Sequence, residues 1–167
     1  PTRRPSDRGM FNYTPDNKPV MDGTAGLWCC NAGHAREPII QAIQAQARDL
    51  DYAPSFQYGH PKVFAAAARI AALAPGDLDH VFFAGSGSEA ADSALKIALA
   101  YWNVSGKGSK TRLIGRERGY HGVGFGGISV GGMVNNRKFF GGLLTGTDHI
   151  AHTYDREKQA FSKGEPE

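Results

Sequence analysis

The residue types and spacings that could carry chemistry lie in two glycine-punctuated turns. The first is "AGSGSEA" (Ala84–Ala90), which stands between a short apolar run and a strongly helical stretch. A helix N-terminus presents unbonded backbone N–H groups and the positive end of the helix dipole, and glycines let an anion approach them closely. Ser86, Gly87 and Ser88 are therefore candidates for holding a phosphate. The same turn also reads as a capping box, S-x-x-E, in which Ser86 and Glu89 would satisfy the helix end internally. Glycines at both 85 and 87 exceed what a cap needs, and this favours the phosphate.

The second turn is "GYHG" (Gly119–Gly122), just past an expected strand. Ligands of parallel sheets gather at the carboxyl ends of the strands, which would bring Tyr120 and His121 to the side on which Ser88 stands. A tyrosine beside a phosphate site suits a flat heterocycle stacked on its ring, and a tyrosine packed in a turn is the plain alternative. Together the two turns imply a flat, phosphorylated cofactor.

Three other patterns compete for attention. Gly85, Gly87 and Ala90 satisfy the G-x-G-x-x-A dinucleotide fingerprint. That fingerprint calls for an acidic residue at the end of the next strand, whereas Arg116-Glu117-Arg118 stands there, a set that only by force suits the 2′-phosphate of NADP. The fingerprint unit also usually opens its domain, whereas helices and aromatic loops precede this one. "GISVG" (Gly127–Gly131) matches the nucleophile elbow of hydrolases, with Asp148 and His152 in a permissible order, but no strand leads into it. His149 and His152 form a close pair without a carboxylate or thiol cluster, so no metal site is expected.

These turns need elements to position them. The 167 residues amount to about one domain. With 41% hydrophobic and 21% charged residues, the composition is that of a soluble globular protein and excludes collagen-like or wholly disordered chains. Lys and Arg outnumber Asp and Glu by 19 to 16, and a net charge of +3 makes no electrostatic case for a nucleic-acid or membrane partner. No apolar stretch reaches the ~18 residues of a membrane span, and "PTRRPSDRGMF" has no apolar core of a signal peptide. The neighbouring Cys29 and Cys30 read as reduced, packed thiols of a cytoplasmic protein.

The spacing predicts a hairpin over 10–22, turning at Pro15-Asp16-Asn17, then a loop carrying Trp28. A helix follows over 37–50 with Ile39, Ile40, Ile43 and Ala47 as its buried stripe, then an aromatic loop, then a helix from Pro61 to about Leu73. His80–Ala84 reads as a strand, 89–104 as a helix with Ala90, Ala94, Leu95, Ile97, Ala98 and Tyr101 facing inward, and "TRLIGR" as a second strand. Strand, turn, helix and strand make a βαβ unit, so the fold class is α/β with a mostly parallel sheet under helical cover. Eleven of the 22 glycines lie between Gly115 and Gly146, a stretch that is either flexible or packed backbone-close against something. There a short helix near 122–129, a long loop and a brief strand at 149–152 are expected.

Five segments, "GLWCCNAGH", "DYAPSFQYGHP", "HVFFAGSGSEAADSALKIALAYW", "RERGYHGVGFGGISVGG" and "NRKFFG", together resemble the class III (subgroup II) pyridoxal-phosphate aminotransferases. The likeness is greatest to the ω-amino acid (β-alanine)–pyruvate aminotransferases, and it runs in order along essentially the whole chain. The resemblance implies the fold-type I transferase architecture, with 1–52 as an N-terminal segment and 53–167 as the first part of the large domain. It implies pyridoxal 5′-phosphate as cofactor, with Gly87 and Ser88, beside Ser86, in the phosphate cup, Tyr120 stacked on the pyridine ring and His121 following it. Trp28 matches a residue lining the substrate pocket, and Phe56 lies in a stretch that in the family reaches the dimer interface and the active-site mouth.

The implied reaction moves an amino group from an ω-amino acid or amine to pyruvate in ping-pong fashion, in a homodimer or homotetramer. Family members are much longer chains. Their Schiff-base lysine falls beyond residue 167, and none of the lysines here occupies its position. The resemblance thus implies an N-terminal fragment with no catalytic residue of its own. Two other readings remain open at this point: a non-catalytic phosphate-binding module, and a small NADP-binding domain.

Overall fold

The computed structural model describes residues 8–54 and 56–154. Two compact units divide at His80 and Val81.

The first unit begins with the expected hairpin. Strands β1 (Phe11–Tyr13) and β2 (Pro19–Met21) pair antiparallel, Phe11 opposite Met21. Thr14 N–H donates to the Lys18 carbonyl across the turn, and Asn17 takes a left-handed conformation, φ 64°, which asparagine tolerates. The loop that follows is more ordered than its composition suggests. Ala25–Trp28 forms one helical turn, α1, whose four residues all have positive φ. It is a left-handed turn, a conformation that costs L-residues roughly 1–2 kcal/mol each.

Helices α2 (Glu37–Asp49) and α3 (Pro61–Leu73) match the expected spans within a residue. Each carries a proline in its first turn, where the missing N–H costs nothing. The His60 imidazole caps α3 by accepting from Lys62 N–H at 3.1 Å. The expected stripe of α2 is not buried: Ile39 and Ile43 stand exposed, because no described element covers that face.

The second unit opens with a correction. Residues 81–84 take no strand pairing, and Phe82 and Phe83 are exposed. A strand is made by its neighbours rather than by apolar content, and no described ladder runs beside this segment. Helix α4 (Gly87–Val104) then covers a face that shares only Leu95 with the expected one. Ser88, Asp92, Leu95, Leu99 and Trp102, at three-to-four spacing, are partly covered together with Ala91 and Ser93, while Ala90, Ala94, Ile97, Ala98 and Tyr101 are exposed. So much alanine makes this helix apolar nearly all round, and periodicity alone does not choose between its faces. At its far end Lys110 Nζ stands 3.7 Å from the centre of the Trp102 ring.

Strand β3 (Leu113–Glu117) is the centre of a three-stranded parallel sheet, in the order β4-β3-β5. Between β3 and β4 (Gly131–Gly132) runs the short helix α5 (Phe125–Val130), with a further turn, α6 (Val134–Arg137), before β5 (Thr147–Ile150). Arg116 sits opposite Gly131 on one side and Ile150 on the other. The fold is therefore α/β with a partial parallel sheet, as expected.

The glycine-rich stretch is packed, with Gly115, Gly126, Gly127, Gly131 and Gly132 all buried beside Ser129 and Val130. A side chain on Gly115 would collide with the Val130 carbonyl, so α5 rests directly on β3 backbone. Among the described residues no helix is long and apolar enough to cross a membrane.

Candidate functional site

The N-terminus of α4 uses its capping box in full. Ser86 Oγ accepts from Glu89 N–H at 3.1 Å, and the Glu89 carboxylate reaches back to accept from Gly85 N–H at 2.7 Å. Two first-turn donors remain. Gly87 N–H and Ser88 N–H have no acceptor among the described residues, and they stand at the positive end of an 18-residue helix. The cap and the anion site thus coexist: the box satisfies positions 85 and 89 and leaves 87 and 88 open.

Ser88 ties this helix end to the second turn. Its Oγ accepts from Val123 N–H at 3.1 Å, leaving its own proton to donate elsewhere. Gly122, at φ 97°, lies so close that an added Cβ would stand 2.5 Å from Ser88 Cα. The Gly119–Gly122 turn is held from the sheet side as well, since Gly132 N–H donates to the Gly119 carbonyl at 2.9 Å. Tyr120 is 53% exposed on this turn, and His121 is exposed beside it, with its ring turned back toward Gly119.

Asp92 was not singled out by the sequence reasoning. One turn below Ser88, its carboxylate accepts from Gly127 N–H at 2.6 Å and Gly126 N–H at 3.4 Å, capping α5 from across the unit. The available signal was an acid among alanines four residues after Ser88, on the same helix face.

The rival motifs are used structurally. Ser129 is buried, donates to the Phe125 carbonyl and accepts from Leu144 N–H, and so is no exposed nucleophile. Asp148 pairs with Arg112 at the opposite end of β3 from Tyr120. The Arg112 hydrogen bond is the main influence holding the Asp148 carboxyl below its ordinary range, and Arg112 is raised in turn. His149 engages Arg137 and the Gly131 carbonyl.

In the first unit, Trp28 ends the left-handed turn with its side chain largely in solvent, at 74% exposure. Trp28 N–H donates to the Thr24 carbonyl, and Cys30 N–H to the Ala25 carbonyl. Gly26 eases the turn: φ is 60°, and an added Cβ would crowd Cys30 Sγ at 3.0 Å. Cys29 is free and exposed, and Cys30 is free and half-buried. Phe56 is 85% exposed in the loop before α3. The Asp22 carboxyl is held below its usual range, chiefly by the hydrogen bond from His34, with Thr24 and Gly26 adding to it against partial burial.

An open helix N-terminus clipped to a glycine turn bearing a tyrosine is the geometry on which the comparisons bear. The sequence profile of the family "Aminotransferase class-III" matches residues 5–165. The chain belongs to the class-III aminotransferases. It is 59% identical over 162 residues to an omega-aminotransferase of Caulobacter vibrioides, covering 97% of this chain and 37% of that protein. It is 52% identical over 156 residues to a beta-alanine–pyruvate aminotransferase of Pseudomonas aeruginosa, covering 93% of this chain and 34% of that one.

Among solved structures it resembles an amine transaminase from an uncultivated Pseudomonas species in its PLP-bound form. The TM-score is 0.81 at 36% identity, over 89% of this chain and 34% of that one. This class-III chain thus spans about a third of the length of the curated relatives it matches.

Proposed function

We propose that this chain supplies the phosphate-holding helix and part of the substrate wall of a pyridoxal-phosphate-dependent ω-amino acid–pyruvate aminotransferase. The observation that carries this reading is the pair of unaccepted N–H groups of Gly87 and Ser88 beside a Ser88 hydroxyl with a free proton. Three donors at a long helix's N-terminus fit a phosphate dianion, and the adjoining Tyr120 turn offers an aromatic face for a pyridine ring. When bound, pyridoxal phosphate supplies the electron sink through which an amino group leaves one carbon skeleton and joins another.

The roles of this chain's residues are binding and orientation. Gly87 and Ser88 hold the phosphate, with Ser86 fixing the helix end that presents them. Tyr120 stacks on the ring and His121 flanks it. Trp28 and Phe56 wall the space for the amine donor, and Phe56 also adjoins a second copy of the protein in a homodimer or homotetramer. The resemblance places the Schiff-base lysine outside these 167 residues, and on that reading they would not turn over on their own. The names of the relatives support β-alanine or a related amine as donor and pyruvate as acceptor.

The test is amine-dependent formation of alanine from pyruvate by the full-length protein, with β-alanine as donor. Activity that falls with loss of bound cofactor in Ser88→Ala supports the reading. Full cofactor retention by a doubly substituted Ser88→Ala, Tyr120→Ala protein would sink it.

A further inference from the structure

We propose that the Asp22 carboxylate, locked by His34, is the positioning group that sets where the Trp28 ring stands and thereby which amine donors the site admits. The proposal rests on the reading of Trp28 as substrate-facing.

The ring cannot place itself. Trp28 is 74% exposed, so little packing holds its side chain, and the backbone sets the direction in which the indole leaves the chain. That backbone is the left-handed turn Ala25–Trp28, in which Ala25, Leu27 and Trp28 are non-glycine residues at φ 51°, 57° and 72°. L-residues do not hold such a run unless surrounding bonds over-determine it.

Besides the backbone bonds from Trp28 N–H to the Thr24 carbonyl and from Cys30 N–H to the Ala25 carbonyl, the side-chain support converges on Asp22. Asp22, with 5% of its side chain exposed, accepts from Gly26 N–H at 2.6 Å and from His34 Nε2 at 2.7 Å through one oxygen. Its other oxygen accepts from Thr24 N–H at 3.1 Å and Thr24 Oγ1 at 3.2 Å. The carboxylate therefore grips the turn at its first residues.

His34 then fixes the carboxylate from outside the turn. Its backbone exchanges two hydrogen bonds with Gly9, His34 N–H to the Gly9 carbonyl at 2.7 Å and Gly9 N–H to the His34 carbonyl at 3.0 Å. The chain of support runs from that bridge through the imidazole and the carboxylate to Gly26, and on to Trp28. Without the carboxylate, Gly26 N–H loses its acceptor and the turn is free to relax, carrying the indole away from its present place. A large planar wall that moves changes how much room a bulky donor has. Asp22 touches no substrate in this scheme and acts only through Trp28.

The experiment uses the full-length protein labelled with 5-fluorotryptophan, the Trp28 resonance being assigned by its absence in Trp28→Phe. Asp22→Ala is expected to shift that resonance. It should also change the ratio of kcat/KM for a bulky aryl amine over β-alanine by at least about fivefold, in the direction Trp28→Ala changes it. Asp22→Asn keeps one acceptor oxygen and should fall between. His34→Ala, which spares the Thr24 and Gly26 bonds, should shift the resonance the same way and serves if Asp22→Ala does not fold. An unmoved Trp28 resonance in both Asp22→Ala and His34→Ala overturns the proposal. So does a moved resonance with unchanged amine preference where Trp28→Ala changes it. If Trp28→Ala itself leaves the preference unchanged, the substrate-facing reading fails and the specificity claim falls with it; a shifted resonance would then tell that failure apart from a failure of the anchor.

Discussion

Ser88 and Val123 are 35 residues apart, and the hydroxyl of one accepts the backbone N–H of the other at 3.1 Å. That single bond joins the helix end that presents open N–H donors to the turn that carries Tyr120. Gly122 makes the joint possible, because at φ 97° its bare Cα lies against Ser88. The open N–H groups of Gly87 and Ser88 and the turn bearing Tyr120 are therefore tied together within the second unit.

Breaking the joint should affect cofactor before it affects fold. Ser88→Ala removes one hydroxyl donor and leaves Val123 N–H to solvent. A hydrogen bond to a charged group is worth about 1.5–3 kcal/mol, so affinity for pyridoxal phosphate should drop roughly 10- to 100-fold. Gly122→Ala forces a strained φ and a collision with Ser88, and should destabilise the protein by roughly 1–3 kcal/mol or more. Cofactor titration of the full-length protein, alongside thermal melting, separates the two effects.

Ser86 should behave in the opposite way. Its Oγ is engaged by Glu89 N–H as a helix cap. Ser86→Ala should cost about 1 kcal/mol of stability, as lost N-caps do, with a smaller loss of cofactor affinity than Ser88→Ala. Glu89→Ala should cost a similar amount by freeing Gly85 N–H. If Ser86→Ala released cofactor as strongly as Ser88→Ala, the division between cap and phosphate donor would be wrong.

How much of this was legible in the sequence depends on the range of the interactions. The hairpin, α2, α3 and the Ser86–Glu89 box were readable because their signals are local: turn residues, first-turn prolines, a cap at fixed spacing. The strand expected at His80–Ala84 was not formed, because pairing depends on partners a local pattern does not contain. Of the inward face expected for α4 only Leu95 is covered, because alanine is at home on either side, and the side taken here is the one where Asp92 and Leu95 meet Gly126. The left-handed turn under Trp28 had a faint signal in Asp22 and Gly26, four apart, but three of its four residues are types that ordinarily avoid that conformation. The glycine cluster was read correctly as a place of close approach or flexibility, and the backbone it approaches is the protein's own.

Asp92 caps α5 from another helix, so its loss should be felt away from its own position. Asp92→Ala leaves Gly126 and Gly127 N–H groups without their acceptor, part-buried, and should cost about 1–2 kcal/mol. Asp92→Asn keeps one acceptor oxygen and should cost less than half as much. Amide hydrogen exchange should show faster exchange at Gly126 and Gly127 in Asp92→Ala, with the α4 amides unchanged. Uniformly faster exchange over both helices would mean that Asp92 serves the stability of α4 instead.

The ion pair between Arg112 and Asp148 gives a pH dependence whose sign is fixed by its cause. The Arg112 hydrogen bond is the largest influence on the Asp148 carboxyl and holds it below its ordinary value of 3.8, aided by the charges of Arg112 and His149 and opposed by desolvation. A carboxyl whose folded value lies below its unfolded one binds fewer protons when folded, so its stabilisation is complete above the unfolded value. It is lost as pH falls from there through the folded value. The melting temperature of wild type should therefore exceed that of Arg112→Met by a constant, small margin near neutral pH, small because both side chains face solvent. Below about pH 4 the two curves should converge as Asp148 takes up its proton. Strong salt should narrow the margin at neutral pH, since exposed charges are screened within a few ångströms at ~1 M. A margin that persisted unchanged to pH 2.5 would show that Arg112 stabilises the sheet by packing along its stem and that the charge on Asp148 contributes nothing.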